Sequence, residues 1–389
     1  MDTHCDTNVD TATTGANKYA HLAWQSAHGW SRPKRLECGT DGMRADQATR
    51  LVSQGVGVVW AGDFFEGRSL LQAIKRRLDT KTRSQNLTLE ALPGPDRFHR
   101  IRLQRAQTAR QLGLLLIKVS QDFTLNYRRA PDAKEALEMA YGERLANSEF
   151  LVPLTELTGV LSAYEWHRKG LPLATLEASI YPRWGVFAPT RHEYLDLVMQ
   201  AELPKSCHSA VDVGTGTGVL ALLLAKRGIQ RIVATDTNPS AILCATDNVA
   251  RAGMQDNISV VDTDLLPEGR FDLLVCNPPW LPGTASGPLE TAVYDPKHQM
   301  LRGFLAQAAQ HLNPHGQAWL ILSDLAEHLQ LRSRQTLLDW ISEAGLGVYQ
   351  RLDVQPRHHK AADATDPLAQ ARGAEVTSLW QLCSLDEMP

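Results

Sequence analysis

Short apolar runs alternate with amphipathic stretches through the second half of the chain. Five runs of four to six residues predict buried strands, at Ser209–Val213, Arg231–Thr235, Ile258–Val261, Phe271–Cys276 and Ala318–Leu322. The stretches between them predict three helices, at Val219–Lys226, Pro239–Ala252 and Met300–Leu312. Asn238 can cap the second helix, Pro239 lies in its first turn and Gly253 follows its end. This alternation predicts an α/β fold with a doubly wound, mostly parallel sheet.

Two more strands are predicted near the C-terminus, at Gly345–Val354 and Glu375–Ser384, on either side of a polar loop. We expect the C-terminal strand to be antiparallel. The pattern therefore predicts a Rossmann-like domain over residues 181–389.

The first half of the chain follows a different pattern. Five stretches predict helices, at Arg44–Ser53, Ser69–Leu78, Arg97–Leu112, Asp132–Leu145 and Leu154–Trp166. A short apolar run lies at Val56–Ala61, and the polar, Pro/Gly-broken segment Lys81–Pro95 predicts a loop. We expect a smaller, mainly helical domain over residues 18–180, preceded by a disordered tail at 1–17.

The formal net charge of −3 conceals an uneven distribution. The segment Arg68–Arg129 carries fourteen Lys and Arg residues against four acids. A basic segment beside a neutral to acidic half is typical of a domain that binds a polyanion. A solvated helical face is the alternative explanation.

Composition excludes several classes of protein. With 43% hydrophobic and 21% charged residues, the chain resembles an ordinary globular protein, and its apolar runs are too short to cross a membrane. The polar N-terminus lacks the features of a secretory signal. The six cysteines are widely spaced, and the adjacent His358 and His359 have no carboxylate cluster nearby, so we expect no metal. A reducing cytoplasm is the expected location.

A glycine-rich loop follows the strand that ends at Val213. Its three glycines, Gly214, Gly216 and Gly218, permit positive φ angles and let the backbone approach a ligand. The spacing is neither that of a dinucleotide fingerprint nor that of a P-loop. Asp236 ends the next strand, where a carboxylate can accept both hydroxyls of a ribose. A ligand with a ribose and no phosphate, S-adenosylmethionine, suits this loop.

An Asn277-Pro278-Pro279-Trp280 tetrad follows the fourth strand. An amino group conjugated to a π-system is a poor nucleophile because its lone pair is delocalised. If the Asn277 side-chain oxygen and the Pro278 carbonyl each accept one N–H, the lone pair turns towards the methyl donor. The prolines fix φ at their own positions, and Trp280 can stack on a flat acceptor.

These motifs resemble those of class I S-adenosylmethionine-dependent methyltransferases of the "methyltransferase small" group, including HemK-like glutamine methyltransferases and RNA and DNA amino methyltransferases. The resemblance implies that Asp212, Gly214, Thr215, Gly216 and Gly218 border the methionine portion and that Asp236 binds the ribose. It further implies that Asp264 and Leu265 flank adenine, that Asn277 with Pro278 holds the target nitrogen, and that Thr190 and Arg191 contact the methionine end.

Two positions depart from the family pattern. Trp280 replaces the usual Tyr or Phe, and Pro189-Thr-Arg-His-Glu-Tyr194 replaces the PRPETE-like stretch of the glutamine methyltransferases. The hypothesis is methylation of an exocyclic amine of an RNA base, with a ribosomal RNA as partner. The alternatives are methylation of a glutamine in a ribosome-associated protein, and a non-catalytic module that binds nucleoside or RNA.

Overall fold

The computed structural model describes residues 18–86, 92–145, 147–355 and 366–388. The predicted tail at 1–17 and the His358-His359 pair lie outside these residues. The chain divides into two compact units between Glu165 and Trp166. The sequence pattern predicts a division near residue 180, where the alternating apolar runs of the second domain become recognisable.

The first unit is built on a five-stranded sheet. Its strands are β1 (Ala23–Trp24), β2 (Leu36–Gly39), β3 (Gly57–Trp60), β4 (Leu115–Val119) and β5 (Phe150–Pro153). Its helices are α1 (Ala45–Ser53), α2 (Phe64–Asn86), α3 (Gly94–Leu112), α4 (Lys134–Leu145) and α5 (Leu154–Lys169), the last of which runs past the boundary. The strand order is β1-β5-β4-β3-β2. Strands β4 and β5 run antiparallel, and the other neighbouring strands of this sheet run parallel.

This sheet is the main feature that the sequence did not predict. All five expected helices are present, yet among the strands only β3 coincides with a noted apolar run, Val56–Ala61. Strands of two to five residues are too short to show an alternating pattern, and β3 and β5 are buried at every position. The predicted loop Lys81–Pro95 was wrong at both ends, because α2 continues to Asn86 and α3 begins at Gly94.

The second unit contains the predicted α/β domain. Its strands are β6 (Leu171–Leu173), β7 (Ala178–Ile180), β8 (Ser209–Val213), β9 (Arg231–Asp236), β10 (Ile258–Asp262), β11 (Phe271–Cys276), β12 (Leu281–Pro282), β13 (Tyr294–Asp295), β14 (Leu312–Ser323), β15 (Leu346–Val354) and β16 (Thr377–Ser384). Its helices are α6 (Glu193–Gln200), α7 (Val219–Lys226), α8 (Pro239–Arg251), α9 (Gln299–His311), α10 (Leu325–His328), α11 (Arg334–Glu343) and α12 (Ala369–Ala374).

Seven strands form the central sheet of this unit, in the order β10-β9-β8-β11-β14-β16-β15. The strand β16 is antiparallel to both neighbours, and the other strand pairs are parallel. The prediction of a Rossmann-like sheet with an antiparallel C-terminal strand is confirmed. The chain runs outwards from β8 to β10 and then returns to β11 on the other side of β8. Ligands of such folds bind at this reversal, beside the carboxyl ends of the strands.

Both faces of the central sheet are covered. Neighbouring residues of β8 belong to different hydrophobic clusters: Ala210 packs in the cluster that contains α6 and α7, and Val211 in the one that contains α9 and α11. Burial on both faces explains why these strands are continuous apolar runs. None of the helices within the described ranges is long and apolar enough to cross a membrane.

Candidate active site

The two sequence motifs meet at the carboxyl edge of the central sheet. Val213 at the end of β8 and Cys276 at the end of β11 are register partners. Gly214 and Asn277 therefore leave the sheet from adjacent positions. Thr235 of β9 pairs with Val213 on its other side, so Asp236 leaves the sheet next to the glycine loop.

The glycine loop depends on positive φ angles. Gly214, Gly216 and Gly218 have φ values of 69°, 57° and 80°. A Cβ added at Gly218 would lie 3.3 Å from the backbone of Ala245, so α8 would have to move by a few tenths of an ångström to admit a side chain. The nearest atom to a Cβ at Gly216 is a loop carbonyl 4.0 Å away. The surface at Gly216 is therefore open, as a ligand site requires.

The Asp212 carboxylate stabilises the glycine loop through hydrogen bonds. The side chain is fully buried, and Oδ2 accepts hydrogen bonds from the Thr215 hydroxyl at 2.6 Å and the Ala221 amide at 3.0 Å. Ala221 lies in the first turn of α7, so this carboxylate satisfies an otherwise unpaired helix amide. Burial raises the pKa of Asp212 to about 6. Asp212 and Thr215 are thus buried residues that hold the loop in shape, and their place beside the methionine portion stays a prediction.

Asp236 connects two segments around the predicted ribose position. Its Oδ2 accepts from the Gly216 amide at 3.0 Å, and its Oδ1 accepts from the Asn238 amide at 2.9 Å. A carboxylate oxygen has a second acceptor position, so both oxygens can still bind hydroxyl groups. Asn238 caps α8 as predicted, accepting from the Ser240 amide at 3.0 Å.

Asn248 is a supporting residue that the sequence analysis missed. This buried side chain of α8 donates to the Thr217 carbonyl at 2.9 Å and accepts from the Tyr181 amide at 2.9 Å. It therefore joins the glycine loop to the segment that precedes α6. A polar residue on the apolar face of a predicted helix was the only available signal.

The tetrad has an internal hydrogen bond that the sequence did not reveal. The Trp280 indole N–H donates to the Asn277 side-chain oxygen, with 3.0 Å between Nε1 and Oδ1. Trp280 is partly buried and packs against both hydrophobic clusters. Pro278 is buried and Pro279 is half-buried. The indole therefore contacts the very oxygen that was expected to grip the acceptor.

Arg191 contacts the tetrad. Its guanidinium lies 5.4 Å from the centre of the Trp280 ring, and Nη2 is 3.3 Å from Oε1 of Glu375. Glu375 is buried and also accepts from the Ser323 hydroxyl at 2.7 Å. Thr190 is exposed. The contact of Arg191 with the methionine end stays a prediction, and the contacts with Glu375 and Ser323 were not predicted.

The pair predicted to flank adenine follows β10. Asp264 is exposed, and Leu265 has a φ of 60°. The Leu265 carbonyl accepts from the Thr235 hydroxyl at 2.7 Å, which connects this segment to β9. A Cβ at Gly303 of α9 would lie 2.7 Å from the Leu265 side chain, so this glycine makes room for it. Among the residues that the structure describes, no group of three or more His, Cys, Asp or Glu is arranged to hold a metal ion.

The order of strands and the open glycine loop beside an acidic residue define a Rossmann-like nucleoside-binding class. The Methyltransferase small domain family matches residues 177–339. A release factor glutamine methyltransferase from Deinococcus radiodurans is 32% identical over 224 residues, which cover 53% of this chain and 72% of that protein. This chain belongs to that family, the HemK-like group of class I S-adenosylmethionine-dependent methyltransferases.

Two RNA-modifying relatives are similar over shorter spans. Ribosomal RNA small subunit methyltransferase C from Alcanivorax borkumensis is 31% identical, covering 43% of this chain and 51% of that protein. The tRNA1(Val) (adenine(37)-N6)-methyltransferase from Pedobacter heparinus is 31% identical, covering 39% of this chain and 64% of that protein. The chain spans between 44% and 64% of the length of the first curated relatives it matches.

Proposed function

We propose that this protein transfers a methyl group from S-adenosyl-L-methionine to a planar amino nitrogen, an exocyclic amine of an RNA base. The adjacency of Val213 and Cys276 in the sheet carries this proposal. It sets the Asn277 carboxamide beside the glycine loop, so one cleft can hold a methyl donor and an amino acceptor. Alignment of the two reactants is the main contribution required of the protein.

The residues at the edge of the sheet fit this cofactor. Gly216 leaves its backbone open, and Asp236 retains acceptor positions for two ribose hydroxyls. The loop lacks the lysine that binds phosphates in a P-loop, which agrees with a ligand that has no phosphate. When bound, the cofactor supplies an activated methyl group on a sulfonium.

Asn277 and Pro278 would activate the acceptor. The carboxamide oxygen uses one acceptor position for the Trp280 indole and keeps a second for an N–H of the acceptor. The Pro278 carbonyl would accept the other N–H. Both hydrogen bonds strengthen as the nitrogen becomes tetrahedral, so they stabilise the transition state more than the ground state.

The first unit supports RNA as the acceptor. Lys118 pairs with Glu149 at 2.8 Å, and Arg128 and Arg129 both bond the buried Asp63, so these three cations are compensated. Other Lys and Arg residues of the basic segment are exposed on α2 and α3, among them Arg68, Lys75, Arg76, Arg77, Arg100 and Arg110. Exposed cations on two helices are suited to phosphate contacts. Ribosomal RNA in the cytoplasm is the proposed setting.

A glutamine amide in a protein is the second candidate. It is favoured by the Deinococcus relative, whose name specifies glutamine and which this chain covers most fully among the relatives above. The tetrad geometry suits either acceptor, because a carboxamide NH₂ is also conjugated. A non-catalytic binding module is the third candidate.

One experiment separates these candidates. RNA and ribosomal proteins from cells that lack the gene are incubated with the purified full-length chain and methyl-labelled S-adenosylmethionine. Label in RNA supports the proposal, whereas label in protein supports the glutamine alternative. The matched Asn277→Ala variant should bind the cofactor with nearly unchanged affinity and transfer no label. Activity that survives this substitution would refute the mechanism, and cofactor binding without transfer by the wild type would favour a binding module.

A further inference from the structure

We propose that Trp280 orients the Asn277 carboxamide for catalysis, and that Arg191 and Glu375 are positioning residues that hold the indole. This inference rests on the proposed function, because it assigns a purpose to the orientation of Asn277. Its physical basis is the hydrogen bond of 3.0 Å from the Trp280 Nε1 to the Asn277 Oδ1.

A carboxamide has two nearly isosteric ends, an acceptor and a double donor. If the Asn277 carboxamide rotated by half a turn, its NH₂ would point at the amine that receives the methyl group. Two hydrogen-bond donors would then face each other. An indole N–H can only donate, so it pairs with the oxygen and disfavours the reversed orientation. The second acceptor position of Oδ1 is thereby held in a constant direction.

The usual aromatic residues of this position cannot supply the same bond. Phenylalanine has no donor, and the hydroxyl of tyrosine lies at the far end of its ring rather than on the edge where the indole N–H lies. Trp280 therefore adds orientation of Asn277 to the stacking surface that any aromatic residue offers.

The indole is itself held in place. The Arg191 guanidinium lies 5.4 Å from the ring centre, a separation at which a cation is attracted to an aromatic face. Arg191 is in turn held by Glu375, which is 1% exposed and also accepts a hydrogen bond from the Ser323 hydroxyl. Ser323 ends β14, and its oxygen also accepts from the Leu325 amide at 3.0 Å. The chain of contacts thus connects the tetrad to the end of the central sheet.

The hydrogen bond can be observed without an activity assay. In ¹⁵N-labelled full-length protein, the Trp280 indole resonance is identified by its loss in Trp280→Phe. We expect it to exchange slowly with water and to exchange at least tenfold faster in Asn277→Ala. The indole of Trp319, which donates to Gln317 at 2.8 Å, is an internal control that should not change. Unchanged exchange of the Trp280 indole in Asn277→Ala would overturn the proposal.

Kinetics test the catalytic consequence, with the acceptor that the labelling experiment identifies. Trp280→Phe should lower kcat about tenfold, which corresponds to the loss of ~1.4 kcal/mol of transition-state stabilisation, while the Kd for S-adenosylmethionine changes less than twofold. A kcat within twofold of the wild type would overturn the proposal. If Trp280→Phe no longer binds the cofactor, the exchange experiment on Asn277→Ala decides alone.

The positioning residues have a matched control. Arg191→Lys keeps the charge and removes the planar group above the indole. It should lower kcat several-fold and, as in Asn277→Ala, make the Trp280 indole N–H exchange faster with water. Arg334 also lies above a tryptophan, 5.2 Å from the Trp380 ring, and pairs with Glu327. Arg334→Lys should leave kcat unchanged, and equal effects of the two substitutions would refute a specific role for Arg191. Absence of transfer by the wild type would refute the proposed function, yet the exchange experiment would still test the orientation.

Discussion

Asp236 and Gly216 are joined by a hydrogen bond of 3.0 Å from the backbone amide of the glycine to the carboxylate. This contact connects the end of β9 to the loop after β8. The same carboxylate is the proposed ribose ligand, so it serves both the shape of the loop and the binding of the cofactor.

Asp236→Ala should weaken binding of S-adenosylmethionine at least ~100-fold. Two hydrogen bonds from hydroxyls to a charged acceptor each contribute roughly 1.5–3 kcal/mol, and the loop also loses its connection to β9. Isothermal titration calorimetry measures the effect. Asp262→Ala is the control, since Asp262 is exposed and is the register partner of Asp236 on β10. Equal losses in the two variants would argue against a ribose contact.

Gly218→Ala should destabilise the protein by about 3 kcal/mol. The substitution combines a left-handed φ of 80° with a 3.3 Å approach to the Ala245 backbone. Gly253→Ala introduces only the unfavourable left-handed φ, because a Cβ at Gly253 would meet nothing within 4 Å. It should lower the free energy of unfolding by about 1 kcal/mol. Urea unfolding of both variants gives the comparison. A similar cost at the two positions would show that α8 yields to the added methyl group.

The buried Asp212 should make stability depend on pH. Burial raises its pKa from 3.8 to about 6, so the folded protein holds a proton that the unfolded chain releases between these values. The contribution of Asp212 to the free energy of unfolding therefore falls as pH rises from about 4 to 6, by up to about 3 kcal/mol. Asp212→Asn lacks this titration.

Urea unfolding of the wild type and of Asp212→Asn across pH 4 to 7 measures this effect. The stability of the variant relative to the wild type should increase with pH through this window. A constant difference would mean that Asp212 does not titrate there.

Affinity for RNA should depend on salt through the exposed arginines of α3. If Arg100 and Arg110 each contact a phosphate, replacing both with Gln should reduce the slope of log K against log salt by about 0.7 for each contact to a single strand. Filter binding at several salt concentrations measures the slope. Arg44→Gln is the control, because Arg44 is exposed outside the basic segment and pairs with Asp46. An unchanged slope in the double variant would place the RNA elsewhere.

The α/β domain could be predicted because its local signals agree with its tertiary structure. The predicted bounds of β8, β11 and α7 coincide with the observed ones, and Asn238 caps α8 as expected. Burial on both faces makes each strand a continuous apolar run between turn residues. The adjacency of the glycine loop and the tetrad also follows from the order of strands.

The contacts around the tetrad could not be predicted in the same way. Glu375 reads as the first residue of a C-terminal strand, and nothing in its sequence neighbours indicates Arg191, which lies 184 positions earlier. The bond from Trp280 to Asn277 is local, yet it depends on the backbone path set by Pro278 and Pro279. Side-chain pairing of this kind is determined by tertiary packing, which periodicity does not encode.

The position of β16 has a consequence for how the protein is made. This strand is the last of the sheet to be synthesised, yet it lies between β14 and β15, and it begins two residues after Glu375. Until β16 has left the ribosome, β14 has an unpaired edge, and until Glu375 has left it, Arg191 lacks this carboxylate. A nascent chain would therefore acquire its competence to react only after residue 384 has emerged.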